Sequence, residues 1–330
     1  MVKHIVDTRQ FKDRRFLEGL FEHAAEMREA RFDKGVCHLH DDKVVGGLFY
    51  QPSTRTRTTF ETAAIRLGAK TVFTENARDF SSAAKGETLE HSLRAIEDCF
   101  DVMVIRHYED GAAKRAAGVL RIPFINAGDG KNQHPTQALL DLFTIKEYFQ
   151  KIDGLDIGFV GDIAQGRTIK SLAYLLSHLK DNRLYFVSPI SLGVPEDMRT
   201  YLREKSIQFY ETDELDAVIS AVDVLYVTRL QFEYVEDEVE KRRLMSEYEK
   251  FQITLEKADK MMDGSILMHP LPINTEKSEG RPEIRCEVDE HPRAHYFKQS
   301  NNGLYVRMAL LDVMLSGEQN PLYSLILDVP

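Results

Sequence analysis

The chain has 330 residues, of which 43% are hydrophobic and 29% charged, a composition that excludes disordered and collagen-like proteins and favours two domains. Its 43 basic and 53 acidic residues give a net charge of −10, which disfavours nucleic acid and membranes as partners but allows a small, locally bound anion. Cys37, Cys99 and Cys286 lie far apart without metal-binding spacing. We therefore expect a cytoplasmic protein with reduced thiols, and with no metal site, signal peptide or membrane span.

From about residue 43 onward, short β-branched runs alternate with longer amphipathic stretches, a pattern typical of parallel sheets covered by helices. The runs predict six strands, at 43–50, 101–106, 156–162, 183–189, 223–229 and 265–270. Helical spacing of apolar residues predicts three helices, at 58–68, 136–149 and 169–179. A polar break with a glycine at 151–156 divides the chain, so we predict an α/β protein with domains 1–150 and 151–301.

The segment 49–60 carries the strongest chemical signal of the first half. A strand ends, Pro52 follows, and hydroxyl and guanidinium groups open a helix; these groups belong to Ser53, Thr54, Arg55 and Thr56. Free N–H groups and partial positive charge at a helix N-terminus favour phosphate binding, and Arg55 adds a planar fork of donors. A hydroxyl-rich helix cap with solvated arginines explains the segment equally well when it is taken alone.

Further polar residues are predicted at the same edge of the first sheet. Arg106 ends a strand, and His134 and Gln137 open the helix that follows the turn-rich segment 126–132. Open α/β proteins bind ligands at the carboxyl ends of their strands. The loop 81–88 offers Lys85 among small residues, for which a plain exposed turn is the alternative.

The second half places two arginines at or just beyond strand ends. Arg167 and Arg229 can each hold a carboxylate through two hydrogen bonds, and Gln231 adds a neutral polar contact. Surface salt bridging is the alternative. The glycines at 158, 161 and 166 do not form the G-x-G-x-x-G fingerprint, so we expect no dinucleotide cofactor, and a dehydrogenase is the weakest interpretation.

Six motifs occur in the order found in one enzyme family: STRTR at 53–57, SSAAKGE at 81–87, Arg106-His107, HPTQ at 134–137, RLQ at 229–231 and HPLP at 269–272. From about residue 45 to 315 the chain resembles the catalytic chains of aspartate carbamoyltransferases. The resemblance implies two Rossmann-like domains with parallel sheets flanked by helices. It also implies that a C-terminal helix, about 302–330, packs back on the first domain, which binds carbamoyl phosphate while the second binds aspartate.

The resemblance implies a role for each matching residue. Those that contact carbamoyl phosphate are Ser53, Thr54, Arg55, Thr56, Ser81, Lys85, Arg106, His134, Gln137, Pro270 and Leu271. Those that contact aspartate are Lys85, Arg167, Arg229, Gln231 and Leu271. The catalytic group is Arg55, Thr56, Lys85, Arg106 and His134. Family members form homotrimers in which a neighbouring subunit supplies the serine and lysine that match Ser81 and Lys85, and the reaction needs no cofactor.

Three features depart from the family pattern. Gln51 and Tyr234 replace a glutamate and an arginine that help to link the domains in many members. Ile273 replaces an arginine, and 273–280 has the character of an insertion, after which Arg281 either restores the cation or does not. The apolar tail after residue 315 packs either on its own subunit or on a partner.

The leading hypothesis is an aspartate carbamoyltransferase of pyrimidine biosynthesis, and HPLP lacks the cysteine that ornithine carbamoyltransferases carry there. One alternative is a carbamoyltransferase for another amine, such as an ornithine derivative. Another is a noncatalytic binding subunit. The sequence leaves open whether a regulatory chain or another pyrimidine enzyme is a partner.

Overall fold

The computed structural model describes residues 2–80, 85–229, 237–274 and 282–328. The chain divides into two compact units, which we call unit 1 (residues 1–143 and 301–330) and unit 2 (residues 144–300). Each is built around a parallel five-stranded sheet. The predicted α/β class is therefore confirmed, and each unit can be described on its own.

Unit 1 contains the strands β1 (His4–Ile5), β2 (Val44–Phe49), β3 (Lys70–Glu75), β4 (Val102–His107) and β5 (Phe124–Asp129). Its helices before the boundary are α1 (Arg14–Lys34), α2 (Thr54–Arg66), α3 (Ala77–Phe80), α4 (Leu89–Ile96), α5 (Ala112–Ala117) and the start of α6 (Pro135–Phe149). The strand order is β1-β5-β4-β2-β3. The chain runs outward from β2 to β3 and then returns to β4 on the other side of β2, where Phe49 pairs with Arg106. A change of direction of this kind opens a crevice at the carboxyl ends of the two strands.

Unit 2 contains the strands β6 (Asp156–Val160), β7 (Arg183–Val187), β8 (Gln208–Thr212), β9 (Val224–Val227) and β10 (Ile266–Met268). Its helices are α7 (Arg167–Leu176), α8 (Glu196–Glu204), α9 (Leu215–Ile219), α10 (Glu238–Phe251) and α11 (Leu255–Asp259). The strand order is β10-β9-β6-β7-β8, and Val160 of β6 pairs with Val227 of β9. The change of direction in this sheet therefore lies between β6 and β9.

The helix α12 (Tyr296–Ser316) returns the chain to unit 1. The helix expected over 302–330 starts earlier and ends at Ser316, because Gly317 has a φ of 56° and leaves the helical region. Beyond it, Tyr323 and Ile326 are buried, and the Lys3 backbone N–H donates to the Tyr323 hydroxyl at 2.8 Å. The apolar tail thus packs on its own subunit.

All six predicted strands and all three predicted helices are present. Four strands were missed, and three of them, β1, β3 and β8, lie at sheet edges. These three strands carry exposed or half-buried residues and so lack a continuous apolar run. The fourth, β5, is wholly buried but carries Asn126 and Asp129, which conceal it in a search for apolar residues.

Candidate active site

The first turn of α2 leaves its N-terminal groups open. Ser53, the residue before the helix, has extended backbone (φ −159°, ψ 91°), and its side chain makes no capping hydrogen bond. The hydroxyl-cap alternative therefore does not apply to Ser53. Thr54 and Arg55 are exposed and Thr56 is buried, while partial desolvation lowers the pKa of the Arg55 guanidinium from its usual value. Arginine stays charged at neutral pH all the same, so this turn combines N–H groups, hydroxyls and a cation.

The end of β4 brings Arg106 beside this turn through its pairing with Phe49. Its Nη1 donates to the Ala127 carbonyl at 3.3 Å, which ties the guanidinium to β5. The adjacent His107 is a packing residue, since its ring lies 4.8 Å from that of Tyr50 and 4.4 Å from that of Tyr108. Burial lowers the pKa of His107, so Arg106 is the cation at this strand end.

A buried carboxylate shapes the loop that leads to His134. Asp129 is almost fully buried and accepts hydrogen bonds from the backbone N–H groups of Gly111 and Gln133, both at 3.1 Å. The amides of Asn126 and Asn132 donate to the same carboxylate at 3.1 and 3.2 Å. Burial is the main cause of the raised pKa of Asp129. The four donors fix the turn that presents His134 in front of α6.

The first turn of α6 orients an amide. Gln137 Nε2 donates to Oδ1 of the buried Asp141 at 2.9 Å. A carboxylate accepts only, so this contact assigns the NH₂ group to the Asp141 side and the carbonyl oxygen of Gln137 to the opposite side. Gln137 can therefore offer an acceptor to a ligand N–H group.

In unit 2, the strands β6 and β9 approach closely where they end. A side chain on Gly161, whose φ is 121°, would place its Cβ 2.2 Å from the Thr228 carbonyl oxygen. The Thr228 N–H donates to the Val160 carbonyl at 2.8 Å, and Arg229 follows directly. The half-buried Arg167 begins α7, after a turn in which the buried Asp162 accepts from the Gln165 N–H at 2.9 Å. Arg167 and Arg229 therefore both belong to the carboxyl edge of the second sheet.

The HPLP segment follows β10 and is held by its own histidine. Nδ1 of the buried His269 accepts from the Leu271 N–H at 2.8 Å, so its Nε2 carries the proton and donates to the buried Glu283 at 2.8 Å. Leu271 adopts a φ of 56°, in the left-handed region that residues other than glycine seldom enter. This segment presents the Leu271 carbonyl in a fixed direction.

Comparison with known families covers both units. Residues 3–147 match the profile of the aspartate/ornithine carbamoyltransferase carbamoyl-P binding domain, and residues 153–314 match that of the Asp/Orn binding domain. The chain belongs to the aspartate/ornithine carbamoyltransferase family.

Relatives in this carbamoyltransferase family extend over nearly the whole chain. Aspartate carbamoyltransferase 1, chloroplastic, from Pisum sativum is 46% identical over 314 residues, which cover 95% of this chain and 78% of the relative. The catalytic subunit of Methanocaldococcus jannaschii aspartate transcarbamoylase superposes with a TM-score of 0.85 at 40% identity, covering 97% and 100% of the two chains. The Trypanosoma cruzi aspartate transcarbamoylase in complex with carbamoyl phosphate gives 0.86 at 34% identity, covering 94% and 95%.

Several of the residues that the carbamoyltransferase motifs single out fall outside the described ranges, namely Ser81, Gln231, Tyr234 and Arg281. Lys85 is exposed at the start of a described range. Ile273, one of the three departures from the family pattern expected above, is half buried and packs against the apolar core of unit 2. Its departure from the pattern therefore has a packing role.

Sequence reasoning missed the buried carboxylates behind the site residues of this carbamoyltransferase, Asp129, Asp141 and Glu283. Only Asp141 had a usable signal, since it lies four residues after Gln137 on one helix face.

In the described ranges no group of three or more His, Cys, Asp or Glu is arranged to hold a metal ion. No helix within the described residues is long and apolar enough to cross a membrane.

Proposed function

We propose that this chain is an aspartate carbamoyltransferase, which converts carbamoyl phosphate and L-aspartate into N-carbamoyl-L-aspartate and phosphate in pyrimidine biosynthesis. The observation that carries the proposal is the uncapped first turn of α2 beside Arg106 at the crevice of the first sheet. Support also comes from the relatives, since the Trypanosoma cruzi enzyme is described with carbamoyl phosphate together with aspartate.

Unit 1 is the carbamoyl phosphate domain in this proposal. Ser53, Thr54, Arg55 and Thr56 bind the phosphate, because helix N–H groups and a guanidinium match its oxygens. Thr56, Arg106 and His134 donate to the carbamoyl carbonyl oxygen. Gln137 accepts from the carbamoyl nitrogen, which agrees with the amide orientation set by Asp141.

Unit 2 is the aspartate domain. Arg167 and Arg229 hold the two carboxylates, and Gln231 adds a neutral contact. Leu271 and Pro270 contact the carbamoyl group, and Leu271 also contacts the substrate amine. We assign aspartate as the substrate because it has two carboxylates for the two arginines. The second amino group of ornithine is positively charged, so these arginines would repel it.

The chemical step is an attack by the uncharged amine of aspartate on the carbamoyl carbon. The carbonyl oxygen gains negative charge as the C–N bond forms, and preorganised donors from Thr56, Arg106 and His134 stabilise it. The bond from carbon to the phosphate oxygen then breaks, and the departing phosphate takes the proton of the amine. His134 donates a hydrogen bond here and is not the general base. Holding both reactants in place supplies much of the acceleration.

The proposed assembly is a cytoplasmic homotrimer in which Ser81 and Lys85 of one subunit complete the site of the next. Lys85 is exposed, as a residue that serves a neighbour must be before assembly. Regulatory chains or another pyrimidine enzyme are possible partners of such a trimer. Sedimentation of the purified chain tests the trimer, and a monomer with full activity would contradict the shared site.

The test of the activity is an assay of the purified chain with carbamoyl phosphate and a panel of amines, with the products identified by mass spectrometry. We expect carbamoyl-L-aspartate as the main product, and the Arg106→Ala variant as the matched inactive control. Preferential turnover of ornithine or an ornithine derivative would overturn the aspartate assignment. Binding of carbamoyl phosphate without turnover of any amine would support a noncatalytic subunit instead.

A further inference from the structure

An arginine on α12 lies buried in unit 1 behind the proposed phosphate site. Arg307 is 3% exposed, and its guanidinium carbon lies 5.1 Å from the centre of the Phe60 ring on α2. Burial lowers the pKa of Arg307 to about 10, against the opposing attraction of Asp141. A charge kept in such an apolar setting is uncommon unless a partner or a function requires it.

The contacts of Arg307 lead directly to the first turn of α2. Its Nη1 donates to the Thr59 hydroxyl at 2.8 Å. That hydroxyl in turn donates to the backbone carbonyls of Arg55 and Thr56, at 2.7 and 3.2 Å. A continuous chain of hydrogen bonds therefore joins the buried guanidinium to the two residues that the proposed function places on the phosphate and the carbonyl oxygen.

The charges around Arg307 are unbalanced toward the positive. Asp141 attracts it and Arg55 repels it, so the positive charges of Arg307 and Arg55 stand against the one negative charge of Asp141. Asp141 also accepts from Gln137, which connects the same cluster to the first turn of α6. The Nε of Arg307 is buried without a hydrogen-bond partner among the described residues. An incoming phosphate dianion would supply the missing negative charge.

A glycine leaves the space that the guanidinium occupies. Gly303 lies one helical turn before Arg307 on α12, and a Cβ there would lie 2.6 Å from Arg307 Nη1 and 3.1 Å from Leu140. Gly303 is helical and has no positive φ, so its backbone conformation does not require glycine. The close approach of the Arg307 guanidinium explains why this position has no side chain.

We propose that Arg307 is a positioning residue for carbamoyl phosphate: it holds the first turn of α2 through Thr59 and adds buried positive charge behind the bound phosphate. It does not touch the substrate. The inference rests on the proposed function for the identity of the ligand. Phosphate binding by a helix turn that a buried cation supports can be measured without the amine substrate.

The experiment compares Arg307→Met, Arg307→Lys and Gly303→Ala in the full chain, using calorimetry with inorganic phosphate and steady-state kinetics with carbamoyl phosphate. We expect Arg307→Met to weaken phosphate binding about tenfold or more and to raise the KM for carbamoyl phosphate more than it lowers kcat. Arg307→Lys restores part of the affinity because the charge remains. Gly303→Ala displaces the guanidinium and weakens binding while the net charge is unchanged.

Asp312→Asn is the matched control on the same helix, because it removes a buried charge that contacts His23 and His40 instead of α2. Loss of stability without loss of phosphate affinity is expected for this control. If Arg307→Met does not fold, Thr59→Val interrupts the same chain of hydrogen bonds and must weaken phosphate binding. A folded Arg307→Met, or a Thr59→Val, that keeps the wild-type phosphate affinity overturns the inference. If the wild type turns over no amine but the phosphate effect is present, the proposed function fails and this inference stands.

Discussion

In both units the chain changes the direction in which it adds strands to the sheet. The two units place different parts of the chain at this point. In unit 1 most candidate residues lie in or just before regular elements, namely the first turns of α2 and α6 and the end of β4. In unit 2, Arg167 begins α7, but Arg229 and Leu271 lie on connections after strands, and Leu271 itself has a positive φ. In the proposed function, a helix N-terminus together with Arg55 binds the phosphate, whereas two arginines bind the two carboxylates. If the proposed function holds, the carboxyl edges of the two sheets serve two kinds of anion.

The largest effect is expected from Arg106→Ala in unit 1. Removing one donor to a developing oxyanion should lower kcat about 100- to 1,000-fold. Because Arg106 is only half buried, the variant should keep the wild-type melting temperature. Steady-state kinetics and thermal unfolding check both points, and a kcat within threefold of wild type would contradict the role of Arg106.

Gly161→Ala tests the backbone of unit 2. A side chain there meets the Thr228 carbonyl at 2.2 Å in addition to the positive φ, so we expect the free energy of unfolding to fall by about 3 kcal/mol. The matched control is Gly264→Ala, which has a φ of 77° but open space around it and should cost about 1 kcal/mol. Equal losses in denaturant titrations would show that the close approach of β6 and β9 is unimportant.

Arg229→Ala separates the two anions. Loss of one charged contact to a carboxylate should raise the KM for aspartate about 10- to 30-fold and leave phosphate binding unchanged. Arg203→Ala is the control, since this arginine is 65% exposed and pairs with the exposed Glu196 on the surface at 3.6 Å. A parallel loss of phosphate affinity in Arg229→Ala would contradict the proposal that the two units bind different anions.

The smallest effect concerns stability in unit 1, at a carboxylate shared by two histidines. His23 and His40 both contact Asp312 at 2.7 Å, and Glu26 lies 3.2 Å from His23. The hydrogen bond to Asp312 raises the pKa of His23 above its usual 6.5, and the two histidines hold the pKa of Asp312 well below its usual 3.8 despite burial. The His23 contribution to stability is complete below pH 6.5 and is lost as pH rises through its raised pKa. The Asp312 contribution is present above pH 3.8 and is lost as pH falls through its lowered pKa.

The stability that Asp312→Asn removes should therefore be greatest between about pH 4 and pH 6.5, at about 1 kcal/mol, and should shrink at higher pH. Urea titrations of wild type and variant across this range measure the difference. A difference that grows between pH 6.5 and pH 9 would show that His23 does not stabilise unit 1 in its charged form.

The sequence predicted the strands that have continuous apolar runs, and the residues at their ends, because motifs follow these strands directly. Asp129, Glu283 and Arg307 could not be found in this way. Each acts through a contact distant in sequence or through backbone N–H groups, and neither kind of contact leaves a periodic pattern. Sequence reasoning therefore reaches the groups proposed to touch the substrates more readily than the groups that hold them.

Unit 1 is discontinuous, and this has a consequence for the order of events during synthesis. Residues 144–300 leave the ribosome before residues 301–330, which complete unit 1. Domains fold as units while the chain emerges, so we expect unit 2 to reach its native state first. The contact between Arg307 and Thr59 spans 248 positions and forms only when α12 arrives. The nascent protein would then acquire its phosphate pocket last, after the amino-acid domain is already in place.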